Sequence, residues 1–77
     1  MKWQLTRPMW EITKRFKSQP QRLPQKWVLT CLRERQVIEF VRNMAGKSSG
    51  VHKKVNGVVI ISAPMFVYEC RPIGESI

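Results

Sequence analysis

Val51-His52-Lys53-Lys54-Val55, then Asn56-Gly57, then Val58-Val59-Ile60-Ile61 is the stretch around which the rest of the chain has to be arranged. Two runs rich in β-branched residues flank a dipeptide that accepts positive φ at both positions. That is what a two-residue type I′ turn requires, and its twist matches that of paired strands. The expectation is a β-hairpin with Lys53 and Lys54 just before a tip that projects from the domain. Such a tip can lie across a phosphate backbone, with His52, Lys53 and Lys54 positioning the protein without reading sequence. The plainer alternative is an edge strand that lysines protect from pairing with another chain.

Working back from the hairpin, Gly46-Lys47-Ser48-Ser49-Gly50 reads as a loop of small and polar residues. Before it, Val37, Phe40, Val41 and Met44 fall at i, i+3, i+4 and i+7, the spacing of one helical face. This predicts a helix over residues 31–44, stopped by Gly46, with a possible break near Gln36. Its polar side carries Arg33, Arg35, Gln36, Arg42 and Asn43. These are side chains that make bidentate contacts to base edges and charge-assisted contacts to phosphates. A solvated helix face explains the same residues without a partner.

Further back, Ser18-Gln19-Pro20-Gln21-Arg22 and Pro24 form a proline-punctuated link. Residues 1–24 are read as a basic N-terminal helix or arm, opened by Thr6 and Pro8, with Met9, Ile12 and Phe16 along one stripe. Lys14, Arg15, Lys17 and Arg22, with Lys26 beyond them, make a basic stripe beside Trp10 and Phe16. Tracking phosphates, lying at an anionic membrane surface, and simple core packing of Trp3, Trp10, Ile12 and Phe16 are the three explanations. After the hairpin, Ser62-Ala63-Pro64 resembles a cap with proline in the first helical turn. Met65 to Glu69 then follow as a short helix or an extended closing segment.

Composition narrows the function. With 77 residues the chain is one domain's worth, and a domain of this size buries only about 60–65% of its unfolded surface. Fourteen Lys and Arg against five Asp and Glu give a formal net charge of +9. Residues 1–27 carry seven bases and one acid, 28–54 six and two, and 55–77 one and two. Polyanion contact is therefore expected from the first two zones, and nucleic acid is the commonest polyanion for a small basic domain. Cys31 and Cys70 lack a CxxC companion and have one histidine between them, which argues against zinc. No run is apolar enough to span a bilayer. The Met1 start has no signal-peptide pattern, so the expectation is a cytoplasmic chain with reduced thiols.

Catalysis finds little support. Glu34 and Glu39 lie beside Arg33, Arg35 and Arg42, where ion pairing explains them. His52 has neither a nucleophile nor an orienting group beside it in sequence. The chain is read as neither an enzyme nor a cofactor binder.

Lys26-Trp27-Val28-Leu29, the basic helical segment, and Gly50-Val51-His52-Lys53-Lys54 leading through Asn56-Gly57 into Val58-Val59-Ile60-Ile61 resemble the small phage excisionases and related recombination directionality factors over residues 26–69. The resemblance implies a winged-helix DNA binder that bends double-stranded DNA, assembles with neighbouring copies and contacts the phage integrase in a bacterial host cell. Trp27 would anchor the core, Arg33, Arg35, Gln36 and Arg42 would lie on or beside the recognition helix, and Lys53 and Lys54 would occupy the wing.

The combined expectation is an α+β, small winged-helix-like domain over residues 25–77, with N-terminal helices, a β-hairpin wing and a short C-terminal element. Its function would be sequence-specific binding of duplex DNA. The alternatives are a small basic interaction protein that modulates an acidic host protein, with Trp3 and Trp10 as anchors, and an RNA-binding module.

Overall fold

Residues 7–16 form an interior strand of a sheet, which corrects the expectation of N-terminal helices. The computed structural model describes residues 7–30, 32–47 and 49–76. In chain order they form β1 (Arg7–Phe16), β2 (Gln25–Thr30), α1 (Glu34–Ala45), β3 (Lys53–Val55), β4 (Val58–Ser62) and β5 (Phe66–Ser76). All neighbouring strands are antiparallel, in the order β2-β1-β5-β4-β3. The winged-helix arrangement is therefore replaced by a five-stranded sheet with one helix. Trp3 and Thr6, part of the sequence reading of the N-terminal helix, lie outside the described residues.

The physical reason lies in two periods that coexist in one segment. Met9, Ile12 and Phe16 have helical spacing, but Trp10, Ile12, Lys14 and Phe16 alternate with Met9, Glu11, Thr13 and Arg15. Tryptophan, isoleucine, threonine and phenylalanine all suit a pleated, half-buried surface. Ile12 faces Trp27 on one side and Cys70 on the other, so the strand gains two partners that a helix would forgo. The proline-rich link becomes the connection between β1 and β2, and Trp27-Val28-Leu29 becomes the second strand instead of the lead into a helix.

The helix is close to its expected place. It runs over Glu34–Ala45 without a break at Gln36 and stops at Gly46, whose φ is +83°. The Gln36 side chain explains the continuity, because its Oε1 accepts the Arg33 backbone N–H at 2.8 Å. This reach-back satisfies one donor at the helix start. Val37 and Val41 are fully buried, Ile38, Met44 and Ala45 pack against the core, and Phe40 turns outward, 38% exposed.

The helix covers one face of the sheet. Under it lie Trp10 and Ile12 from β1, Val59 and Ile61 from β4, and Tyr68 and Cys70 from β5, with Ala63 beside them. Burying each large apolar side chain stabilises the fold by about 1.5–3 kcal/mol. Trp10 is 7% exposed and its indole Nε1–H donates to the Leu32 carbonyl at 3.2 Å, so it is core and not a docking anchor. Cys70 is fully buried and unpaired, and burial pushes its thiol up to about 11. Cys31 lies outside the described residues.

Asn56 and Gly57 adopt φ of +50° and +81°, as the turn requires, and Lys53, Lys54 and Val55 pair with Ile60, Val59 and Val58. The hairpin is nevertheless part of the sheet, because Val59 to Ser62 pair with β5. Only the corner from Val55 to Val58 reaches past that pairing. The segment after Pro64 is extended, not helical, and forms the eleven-residue β5. Among the described residues, no helix is long and apolar enough to cross a membrane.

Candidate nucleic-acid interface

Two backbone hydrogen bonds gather three connections at one end of the sheet. Lys17 N donates to Met65 O at 3.1 Å, joining the β1–β2 connection to the β4–β5 turn. Gly50 N donates to Ser62 O at 2.9 Å, bringing in the connection from α1 to β3. At this loop end stand Lys14, Arg15, Lys17 and Arg22 from the first hairpin, and Lys47 and His52 after the helix. Arg42 in the last helical turn joins them, its Nη2 lying 3.4 Å from His52 Nδ1. Residues that the sequence places in separate zones thus converge.

The start of the helix lies at the opposite end, near the Asn-Gly corner. Lys54 Nζ meets Glu34 Oε1 at 2.9 Å, which ties the first turn of α1 to β3. Arg33, Arg35 and Gln36 therefore sit with the corner, and Arg35 lies roughly 10 Å along the helix from Arg42 at 1.5 Å per residue. Gln36 is partly committed, since its side-chain oxygen caps the helix.

Arg35, Glu39 and Arg42 form one solvent-facing stripe of α1, with Gln36, Phe40 and Asn43 along the next; all six are exposed. Lys53 and Lys54 do not act as a pair. Successive residues of a strand face opposite sides, so Lys54 lies on the helix side and Lys53 on the uncovered face. Arg15 is also on the uncovered face, with its Nε 3.3 Å from Glu69 Oε1. Arg15 and Lys54 thus have carboxylate partners, and exposed pairs of this kind contribute about 0–1 kcal/mol.

Val58 to Ile61 carries no aromatic side chain, and an aromatic pair of the sheet lies elsewhere. Phe16 and Phe66 face each other across β1 and β5 at the loop end, with ring centroids 4.8 Å apart. Lys14 Nζ stands 4.0 Å from the Phe66 centroid, and Arg22 Cζ stands 4.3 Å from that of Phe16. Phe16 and Phe66 are fifty residues apart in sequence, and only strand register unites them. Lys17 Nζ reaches Ser62 Oγ at 2.6 Å.

The remaining surface offers little for bond-breaking chemistry. Glu34 and Glu69 are engaged with lysine and arginine, and the raised thiol of buried Cys70 is a poor nucleophile. Among the described residues, no group of three or more His, Cys, Asp or Glu is placed to hold a metal ion. Compared with protein-family models, curated proteins and solved structures, the chain matches none.

Proposed function

We propose that this chain binds double-stranded DNA, with the loop-end cations on the phosphate backbone and the exposed stripe of α1 against a groove. One observation carries the reading: Arg42, on the outward stripe with Arg35, lies 3.4 Å from His52 at the loop end of the sheet, the end at which Lys14, Lys17, Arg22 and Lys47 also stand. A contact made by the helix would therefore reach the end of the sheet that bears these cations. A helix of twelve residues is of a size that the major groove admits. Arg35 and Asn43 would face base edges, while Arg33 would add a phosphate contact at the corner end.

The wing-and-helix geometry through which an excisionase would act is not the geometry of this sheet. The duplex alone is therefore the proposed partner, without integrase, neighbouring copies or recombination. The interaction-protein reading draws instead on the uncovered sheet face, where Val28, Val55 and Ile73 are 56%, 49% and 43% exposed.

Titration of a labelled duplex by fluorescence anisotropy between 50 and 200 mM salt tests the proposal. Five cations, Lys14, Lys17, Arg22, Arg42 and Lys47, predict a log–log slope of about −4.5 and a loss of roughly 500-fold over that range. The triple variant K14A/K17A/R22A should flatten the slope by about 2.7. R35A should cost about 1–3 kcal/mol on a preferred site and little on a scrambled one. A flat salt response rejects the reading. Nuclease-resistant recovery of one acidic protein, with no duplex binding, would put the interaction protein first.

A further inference from the structure

We infer that the loop end also holds a stacking site for one unpaired nucleotide of a single strand, built from Phe16 and Phe66 with Lys14 and Arg22. The inference rests on the nucleic-acid reading above and adds to it a base-binding element that a duplex contact does not need.

Three features meet at this place. Phe16 and Phe66 occupy directly opposed positions of β1 and β5, so backbone register fixes the rings. Each ring also carries a cationic side chain, Lys14 over Phe66 at 4.0 Å and Arg22 over Phe16 at 4.3 Å, while Phe66 packs in part against the core. Among the described residues, neither cation has a carboxylate within 4 Å. Beside them project Leu23, 90% exposed, and Met65, 64% exposed, on two connections that the Lys17–Met65 hydrogen bond holds together.

A nucleotide matches this combination. Its base has a flat apolar face that stacks on an aromatic ring or on a guanidinium, and its phosphate attracts an unpaired cation. A cation resting on a ring is held by about 0.5–1 kcal/mol at an exposed site, little enough for a base to take its place while the cation turns to the phosphate. Leu23 and Met65 flank the base and exclude water from its edge. A base within a duplex already has both faces stacked, so the site selects an unpaired one. An anionic lipid would match the charge but would need the apolar groups to insert, whereas Phe16 and Phe66 are held at the end of a rigid sheet.

The experiment compares the full chain with its Phe16→Leu and Phe16→Trp variants. The ligands are labelled dT20, a duplex of equal length, inorganic polyphosphate and vesicles of anionic phospholipid. Phe16→Leu should weaken dT20 binding by about 5- to 100-fold, leave the duplex and polyphosphate affinities unchanged, and be rescued by Phe16→Trp. In the wild-type chain, a 2-aminopurine placed in the oligonucleotide should lose fluorescence on binding, a readout that stands even if Phe16→Leu fails to fold. Equal losses on all polyanions, absence of quenching, or binding to vesicles alone would overturn the inference. If duplex binding keeps its salt slope while Phe16→Leu binds dT20 like the wild type, the stacking site falls and the proposed function stands. If no nucleic acid binds, both fall.

Discussion

Truncation of Ile12 to alanine separates an interior strand of the sheet from a helical arm attached to its side. Ile12 is fully buried, with Trp27 and Cys70 as its cross-strand neighbours. The substitution removes three carbons, which at about 0.8 kcal/mol per methylene loses roughly 2.4 kcal/mol of transfer free energy. The space left between two paired strands closes poorly, and the cavity brings the total to about 3–4 kcal/mol. For a chain of 77 residues, total stability is about 4–12 kcal/mol, so the variant should lose a large part of it. Urea unfolding followed by far-UV circular dichroism and tryptophan fluorescence should show a lower midpoint with coincident transitions and an unchanged m-value. Val28→Ala on the uncovered face, where Val28 is 56% exposed, should shift stability by no more than about 0.5 kcal/mol. An Ile12→Ala midpoint within error of the parent would refute the placement of β1.

Two further outcomes follow from single groups. Arg33 precedes α1 in an extended conformation but offers no side-chain oxygen to the helix; Arg33→Ser should supply one and raise stability by about 1 kcal/mol, measured as a higher midpoint in a thermal melt. Cys70 ionises at 9.0 in its ordinary state and at about 11 when buried in the fold. Between those values the unfolded chain has released a proton that the folded chain retains, so the contribution is full below pH 9 and is lost as pH rises toward 11. The raised hydroxyl of Tyr68 acts in the same direction. Cys70→Ala should therefore have a shallower decline in urea midpoint between pH 8 and 11 than the parent.

The parts of this fold that are legible in sequence are the local ones. Asn56-Gly57 specifies its own backbone angles, and the hairpin appears where it should. Val37, Val41 and Met44 specify a helix whose partner need not be known. β1 and β5 depend on each other, and neither announces itself. In β1 the apolar residues satisfy two periods at once, and only the presence of partners on both sides decides between them. In β5, Pro72 and Gly74 speak against a strand, yet both are tolerated. β4 pairs with β5 only from Val67 to Cys70, and Pro72 stands opposite Trp10 beside the irregularity between Met9 and Trp10, with Gly74 at φ +126°. The candidate site divides in the same way. The helix stripe could be read from spacing, whereas the approach of Lys14 to Phe66 depends on that same unannounced pairing.

The longest ladder in the sheet joins the first described strand to the last, from Arg7–Ser76 to Phe16–Phe66. During synthesis, the side of β1 that pairs with β5 stays open until residues 66–76 have been made. Closure across so wide a span of sequence carries a large entropic barrier, and pairing of this sort folds slowly compared with helical bundles. Through that interval Trp10 and Ile12 are open to solvent and to other nascent chains.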